Sequence, residues 1–214
     1  MTSRIALVLP VTVLLGACTV SGTDLRSMPT LGSKIAEVPS CPKQPGVFYA
    51  PPSGGSLCFS IYGVQMEVEA QNSETIASAI GPLFPVLPYF PKRNDSGPLA
   101  IDLAFNQTEE PYAFSPWEVS VQTDRGETVG VSRVSTNVRE GQSVRTVALD
   151  PREKGARMLG AGAWSRFFLT FEKHIAPEQP FSLTLHLRAT NGADVQLPTI
   201  SFKNGKVSYL GTIP

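Results

Sequence analysis

The sequence predicts an all-β protein, an immunoglobulin-like β-sandwich, with a closed β-barrel as the alternative arrangement of the same strands. Three observations predict it. Apolar residues recur at every second position in many short runs, the period of a strand buried on one face. Turn-forming residues break these runs at roughly 8–12-residue intervals. The 19 Pro and 18 Gly among 214 residues exceed the usual share, and no long amphipathic helix interrupts the pattern. At 42% hydrophobic and 17% charged, the chain has enough apolar material for a core and too little charge for a disordered polymer.

The elements follow in order. Leu57-Cys58-Phe59-Ser60-Ile61-Tyr62 and Gln65-Met66-Glu67-Val68-Glu69 read as two strands about Gly63. Asn72 or Ser73 is placed to cap one short helix over residues 74–80, which Gly81 and Pro82 end. Pro82, Pro85, Pro88 and Pro91 recur at every third position. That spacing forbids a helix interior or a central strand and predicts an extended, polyproline-like segment.

Beyond Gly97-Pro98, Leu99, Ile101, Leu103 and Phe105 share one face, with Asp102 and Asn106 on the other. Trp117, Val119 and Val121 alternate with Glu118, Ser120 and Gln122, and a turn at Asp124-Arg125-Gly126 leads to Val129 and Val131. Residues 144–149 form another strand, closed by Asp150-Pro151. Residues 164–172 set Phe167, Leu169 and Phe171 on one face. Phe181, Leu183, Leu185 and Leu187 alternate with Ser182, Thr184, His186 and Arg188. Two Asn-Gly pairs come last, Asn191-Gly192 and Asn204-Gly205, and the second predicts a hairpin between residues 200–203 and 206–209.

The first eighteen residues carry an address. Arg4 gives a positive start, residues 5–15 are apolar, and Gly16-Ala17 are the small residues that precede a signal cleavage. The apolar run is shorter than the roughly 20 residues needed to cross a bilayer. Leu15-Gly16-Ala17-Cys18 resembles the lipobox of bacterial lipoproteins. The resemblance implies removal of residues 1–17 and acylation of Cys18, with several acyl chains holding the mature protein at a membrane. Each buried CH₂ adds roughly 0.8 kcal/mol to that hold. Thr19 stands where, in many such proteins, an Asp directs inner-membrane retention. The implied location is the outer membrane, facing the periplasm. Residues 18–40 are small and polar and read as a flexible tether, leaving residues 41–214 as one sandwich domain. The remaining cysteines, Cys41 and Cys58, read as a structural disulfide in an oxidising envelope, one worth roughly 3 kcal/mol in the chain-entropy model.

Chemistry is harder to find. The 18 basic side chains balance 18 acidic ones, which removes the basic footprint of a nucleic-acid binder. Metalloprotease, nucleophile-elbow, phosphate-loop, EF-hand and haem motifs do not occur, no metal-ligand spacing joins His174 or His186 to a cysteine, and no cofactor is implied. Asp102, Glu109 and Glu110 read as solvated charge. Two segments are candidate partner-binding surfaces. One is the apolar stretch with Leu83, Phe84, Val86, Leu87 and Phe90, although the preferred reading has it cover the end of a sandwich, because so apolar a stripe left exposed invites aggregation. The other is the glycine-bearing loop with Arg152, Lys154 and Arg157, suited to anionic headgroups or an acidic partner. The expected function is therefore non-catalytic: an envelope lipoprotein whose sandwich binds or assembles envelope components, with the membrane and another envelope protein as partners. A hydrolase or a carrier of an apolar ligand is the alternative.

Overall fold

Sixteen strands and one 3-10 turn (Pro116–Glu118) make up the described part of the computed structural model, which covers residues 18–32, 55–81, 87–88, 97–107, 112–140, 143–160 and 164–213. In chain order the strands are β1 (Cys18–Leu31), β2 (Ser56–Ile61), β3 (Val64–Ala70), β4 (Ser73–Gly81), β5 (Leu87–Pro88) and β6 (Ala100–Gln107). Then follow β7 (Tyr112–Phe114), β8 (Ser120–Thr123), β9 (Thr128–Glu140), β10 (Ser143–Ala148) and β11 (Arg157–Met158). The last are β12 (Trp164–Phe171), β13 (Phe181–Thr184), β14 (His186–Ala189), β15 (Asp194–Gln196) and β16 (Ile200–Ile213).

Twelve strands form one antiparallel sheet in the order β2-β3-β6-β12-β9-β8-β13-β16-β1-β4-β5, with β10 on β9 beside that path. The remaining four form a second sheet, β11-β7-β14-β15. The fold is all-β, and its larger sheet curls into a half-barrel, between the sandwich and the barrel that the sequence predicts. Two features bend it. Strand β9 pairs with β8 through Thr128–Gly130 and with β12 beyond Val131, so one strand serves both halves. A register shift between Thr170 and Phe171 marks the bend. On the other side, Gln71-Asn72 carries the chain directly from β3 to β4, which lies in the opposite half.

The period-2 residues face inward as expected. Val64, Met66 and Val68 of β3, Ile101, Leu103 and Phe105 of β6, and Phe167, Leu169 and Phe171 of β12 are buried together. Phe114 of the smaller sheet packs against Phe105 at 4.7 Å and Phe167 at 5.1 Å between ring centroids, fastening the two sheets. Such aromatic pairs add roughly 0.5–1.5 kcal/mol beyond their buried area. Phe181 and Phe202 stack at 4.4 Å on neighbouring strands.

Three expectations need correction. Residues 74–80 are not helical; they lie in β4, hydrogen-bonded to β1. Thr75, Ile76 and Ile80 are β-branched and favour strand. Asn72 is not a helix cap either: it is buried, and its Nδ2 donates to Ser27 Oγ at 2.9 Å and to the Ile175 carbonyl at 3.1 Å. The tether expected over residues 18–40 does not begin at Cys18, because Cys18–Leu31 is strand β1, paired with β16 on one edge and β4 on the other. Ladder hydrogen bonds on both edges order this stretch, and Leu25 and Ser27 are buried within it. Residues 33–40 lie outside the described residues.

Lastly, Asn204-Gly205 is no hairpin. It sits mid-strand in β16, opposite Ser27 and Arg26. Its glycine answers a close approach, since a Cβ at Gly205 would collide with the Met28 side chain. The other pair, Asn191-Gly192, does form a turn, with Gly192 at φ 83° and Asn191 Oδ1 accepting from the Ala193 N–H at 2.9 Å. Replacing Gly205 by Val should therefore lower stability by about 1–3 kcal/mol, the usual penalty of overpacking, while Gly155→Ala, in open space, should leave it unchanged. Urea midpoints of the two variants check this.

Candidate functional site

Charge concentrates on the face of the larger sheet opposite the core. Alternation in β3 sends Val64, Met66 and Val68 inward and Glu67 and Glu69 outward. The register then aligns Glu69 with Asp102 of β6, and Glu67 with Ala104 of β6, which is itself opposite Arg166 of β12. Two rungs thus bring three carboxylates and one guanidinium together. Strand β1 adds Asp24 and Arg26, placed two residues apart so that both take the same side.

The group is nearly closed to solvent, with Asp102 and Arg166 each only 9% exposed. Arg166 Nε stands 3.3 Å from Asp102 Oδ1, and its Nη2 is 3.9 Å from Glu67 Oε2. Its guanidinium also lies 5.8 Å from the Phe168 ring centre, two residues along the same strand. Arg26 Nη2 reaches Asp24 Oδ2 at 3.2 Å, and Nη1 reaches Glu69 Oε1 at 3.9 Å. Four carboxylates therefore share two guanidiniums.

Burial first, and then this imbalance, sets the titration. Burial pushes the Asp102 carboxyl up to about 6; Arg166 opposes the shift, and the neighbouring charges of Glu69 and Glu67 add to it. Glu69 is also raised, by burial first, against the pull of Arg26. The cluster can hold a proton near neutral pH and can join β1 to β3. It has no histidine, serine or free thiol among its members. Among the described residues, no group of three or more His, Cys, Asp and Glu is arranged to hold a metal ion.

Apart from Asp102, the residues singled out from sequence that are described lie outside this cluster. Cys18 opens β1. Cys58 is buried in β2 and is not a free thiol, while Cys41 lies outside the described residues. Leu87 lies in the two-residue strand β5; Leu83, Phe84, Val86 and Phe90 fall outside the described residues, as do Glu109 and Glu110. Arg152 and Lys154 are exposed in a turn that Asp150 organises, its Oδ1 accepting from the Arg152 N–H at 2.8 Å. Arg157 is half-buried on β11, with Nη2 3.3 Å from Glu153 Oε2. His186 is exposed, and so is His174, whose Nδ1 lies 2.7 Å from the Gly97 carbonyl oxygen.

Reading Asp102 as solvated charge requires correction: it has the right face, but the face is covered. The sequence signal was present in the alternating Glu67 and Glu69 and in Asp102 and Arg166, each on the non-core face of its strand. Knowing that these strands are neighbours was the missing step. Comparison with known proteins returns no matching family model, no matching curated protein and no matching solved structure.

The raised Asp102 fixes a sign. A folded-state value above the unfolded 3.8 means that protonation stabilises the fold below about pH 4, and that this contribution is lost as pH rises through about 6. Asn at this position imitates the neutral acid. The stability difference between Asp102→Asn and wild type should move toward the variant by about 3 kcal/mol between about pH 4 and pH 7. Urea unfolding across that range measures it, and a flat difference would show that Asp102 titrates normally.

Proposed function

We propose that the chain is a lipid-anchored protein of the bacterial envelope, attached through acylated Cys18, with a non-catalytic β-fold that binds or assembles envelope components. One observation carries the reading. The lipobox-like Leu15-Gly16-Ala17-Cys18 ends on the residue that forms the first rung of the sheet, Cys18 opposite Ile213. A cut before Cys18 would thus leave the strand whole. No helix among the described residues is long and apolar enough to cross a membrane, so the acyl chains would supply the attachment. Thr19, not Asp, favours the outer membrane, with the fold on the periplasmic side.

Binding or assembly is favoured by an open edge. Among the described residues β10 pairs with β9 alone, and its six residues are almost wholly exposed, Val144 at 54%. An edge of this kind can accept an added strand from a partner. The rival reading, a hydrolase or a carrier of an apolar ligand, draws less support. Both histidines are exposed, neither is paired with the buried carboxylates, and the inner face is filled by Phe105, Phe114, Phe167 and their neighbours.

Growth with a labelled fatty acid should mark the wild-type protein and leave Cys18→Ser unmarked; equal labelling of the two would refute acylation at this residue. We assign Cys41 and Cys58 to one disulfide, closing the Pro- and Gly-rich segment between them. Peptide mass mapping without reduction should recover the two cysteines linked, and alkylation of both without prior reduction would overturn the pairing.

A further inference from the structure

Acylation at Cys18 gives the anchor a position but does not by itself determine how the domain meets the membrane. The register supplies that. Strands β4, β1 and β16 lie side by side, and at their Cys18 end the rungs run Gly81–Thr19–Thr212, Ile80–Val20–Gly211, Ala79–Ser21–Leu210, Ser78–Gly22–Tyr209 and Ala77–Thr23–Ser208. Cys18 and Ile213 close the series. None of these residues is charged. At the next rung stands Asp24, and one rung further Leu25 lies between Glu74 and Lys206. The boundary is abrupt and falls at the same level on all three strands.

The sequence continues the trend beyond the paired positions. Residues 76–91, which include the end of β4 and the whole of β5, contain no Asp, Glu, Lys, Arg or His. Soluble strand edges are ordinarily guarded by charge, lysine above all, which keeps them from joining other sheets. A three-stranded end stripped of charge, with an acylated residue at its tip, is instead suited to a surface where charge is costly to bury.

We propose that this uncharged end of the β4–β1–β16 ribbon is a membrane-seating surface, resting in the headgroup and upper acyl layer of the bilayer that holds the Cys18 lipid; the seat depends on the lipoprotein reading of Cys18. Length limits how deep it goes. Six residues at about 3.3 Å each extend about 20 Å, short of the roughly 30 Å hydrocarbon core, so the ribbon enters one leaflet and does not span. The half-buried Glu74 and the exposed Lys206, paired on either side of Leu25, mark the level at which water begins. The opposite end of β16 begins at Ile200, paired with Leu183 of β13, and β14 and β15 with the Asn191-Gly192 turn follow β13 in the chain.

The test uses the full acylated protein in vesicles of phosphatidylethanolamine and phosphatidylglycerol that carry a doxyl-labelled phospholipid. Single cysteines, Ile213→Cys at the proposed seat and Asn191→Cys at the far turn, are labelled with an environment-sensitive fluorophore, and protein with neither substitution gives the background. Mass spectrometry of the N-terminal peptide reports the acyl groups independently. The seat requires blue-shifted emission and several-fold stronger quenching at 213 than at 191. Equal quenching on acylated protein overturns the seat and leaves the lipoprotein reading intact, whereas an N-terminal peptide without acyl mass overturns that reading and the seat with it. A dimer by light scattering with no lipid-dependent quenching gives the uncharged end to a second copy of the chain and overturns the proposal. Thr212→Cys, one rung away, repeats the measurement if Ile213→Cys does not fold.

Discussion

Strand β1 is hydrogen-bonded along both edges, to β16 over its whole 14-residue length and to β4 from Thr19 to Arg26. It is the strand by which β4 joins the rest of the sheet. It also meets β3 across the curl through Arg26 with Glu69, and the corner after β3 through Ser27 with Asn72. Without β1 the half-barrel would lose the contacts that bring its two ends together, and β4 and β16 would each expose an unpaired edge. The curl is thus held at three places: the bent strand β9, the corner at Gln71-Asn72, and the side chains that β1 sets against β3.

The third of these works through charge in a place where charge is expensive. A buried ion pair gains Coulomb energy but gives up the hydration of both ions, so its net contribution is small unless every charge is matched. Here the matching is incomplete, with Asp24, Glu67, Glu69 and Asp102 around Arg26 and Arg166. Asp102 is raised chiefly by its burial, and the unmatched carboxylates add to the shift, since protonating one acid relieves both the desolvation and the excess negative charge. The cluster therefore contributes specificity of arrangement more than raw stability. Only one placement of β1 against β3 sets Arg26 beside Glu69, and a register slip of one residue would turn it to the opposite face.

Alternation was the reliable signal in the sequence, because burial on one face acts on each strand locally. It located the inward residues of β6, β12 and β13, and it ran unbroken from Phe181 to Leu187 even though the chain there passes from the larger sheet to the smaller. What it could not supply was the identity of each strand's neighbour. The two Asn-Gly pairs make the point. Asn191-Gly192 turns because β14 and β15 have each other as nearest partners, whereas Asn204-Gly205 stays extended because β1, whose Ser27 and Arg26 lie far earlier in the chain, occupies that edge. A helix over residues 74–80 fails for the same reason: a capping residue and a following Gly-Pro are local cues, and the ladder with β1 outweighs them. The charged cluster was hidden likewise, for its members were visible one at a time and their adjacency was not.

The same long-range pairing changes what an anchor at Cys18 would mean. A flexible tether over residues 18–40 would let the domain wander by roughly 25 Å and turn freely above the membrane. With Cys18 already on the first rung of the sheet, that freedom is absent at the anchor. The segment after Leu31 instead leaves from the far end of β1, opposite Ile200, and leads toward β2. Anchor and fold would then be one continuous ladder, and the orientation of the domain above the bilayer would follow from strand register. A partner would find β10 and the turns of the smaller sheet presented at a constant attitude. That is what a binding or assembly module requires: surfaces whose position is set before the partner arrives contribute affinity by avoiding the entropy of ordering them.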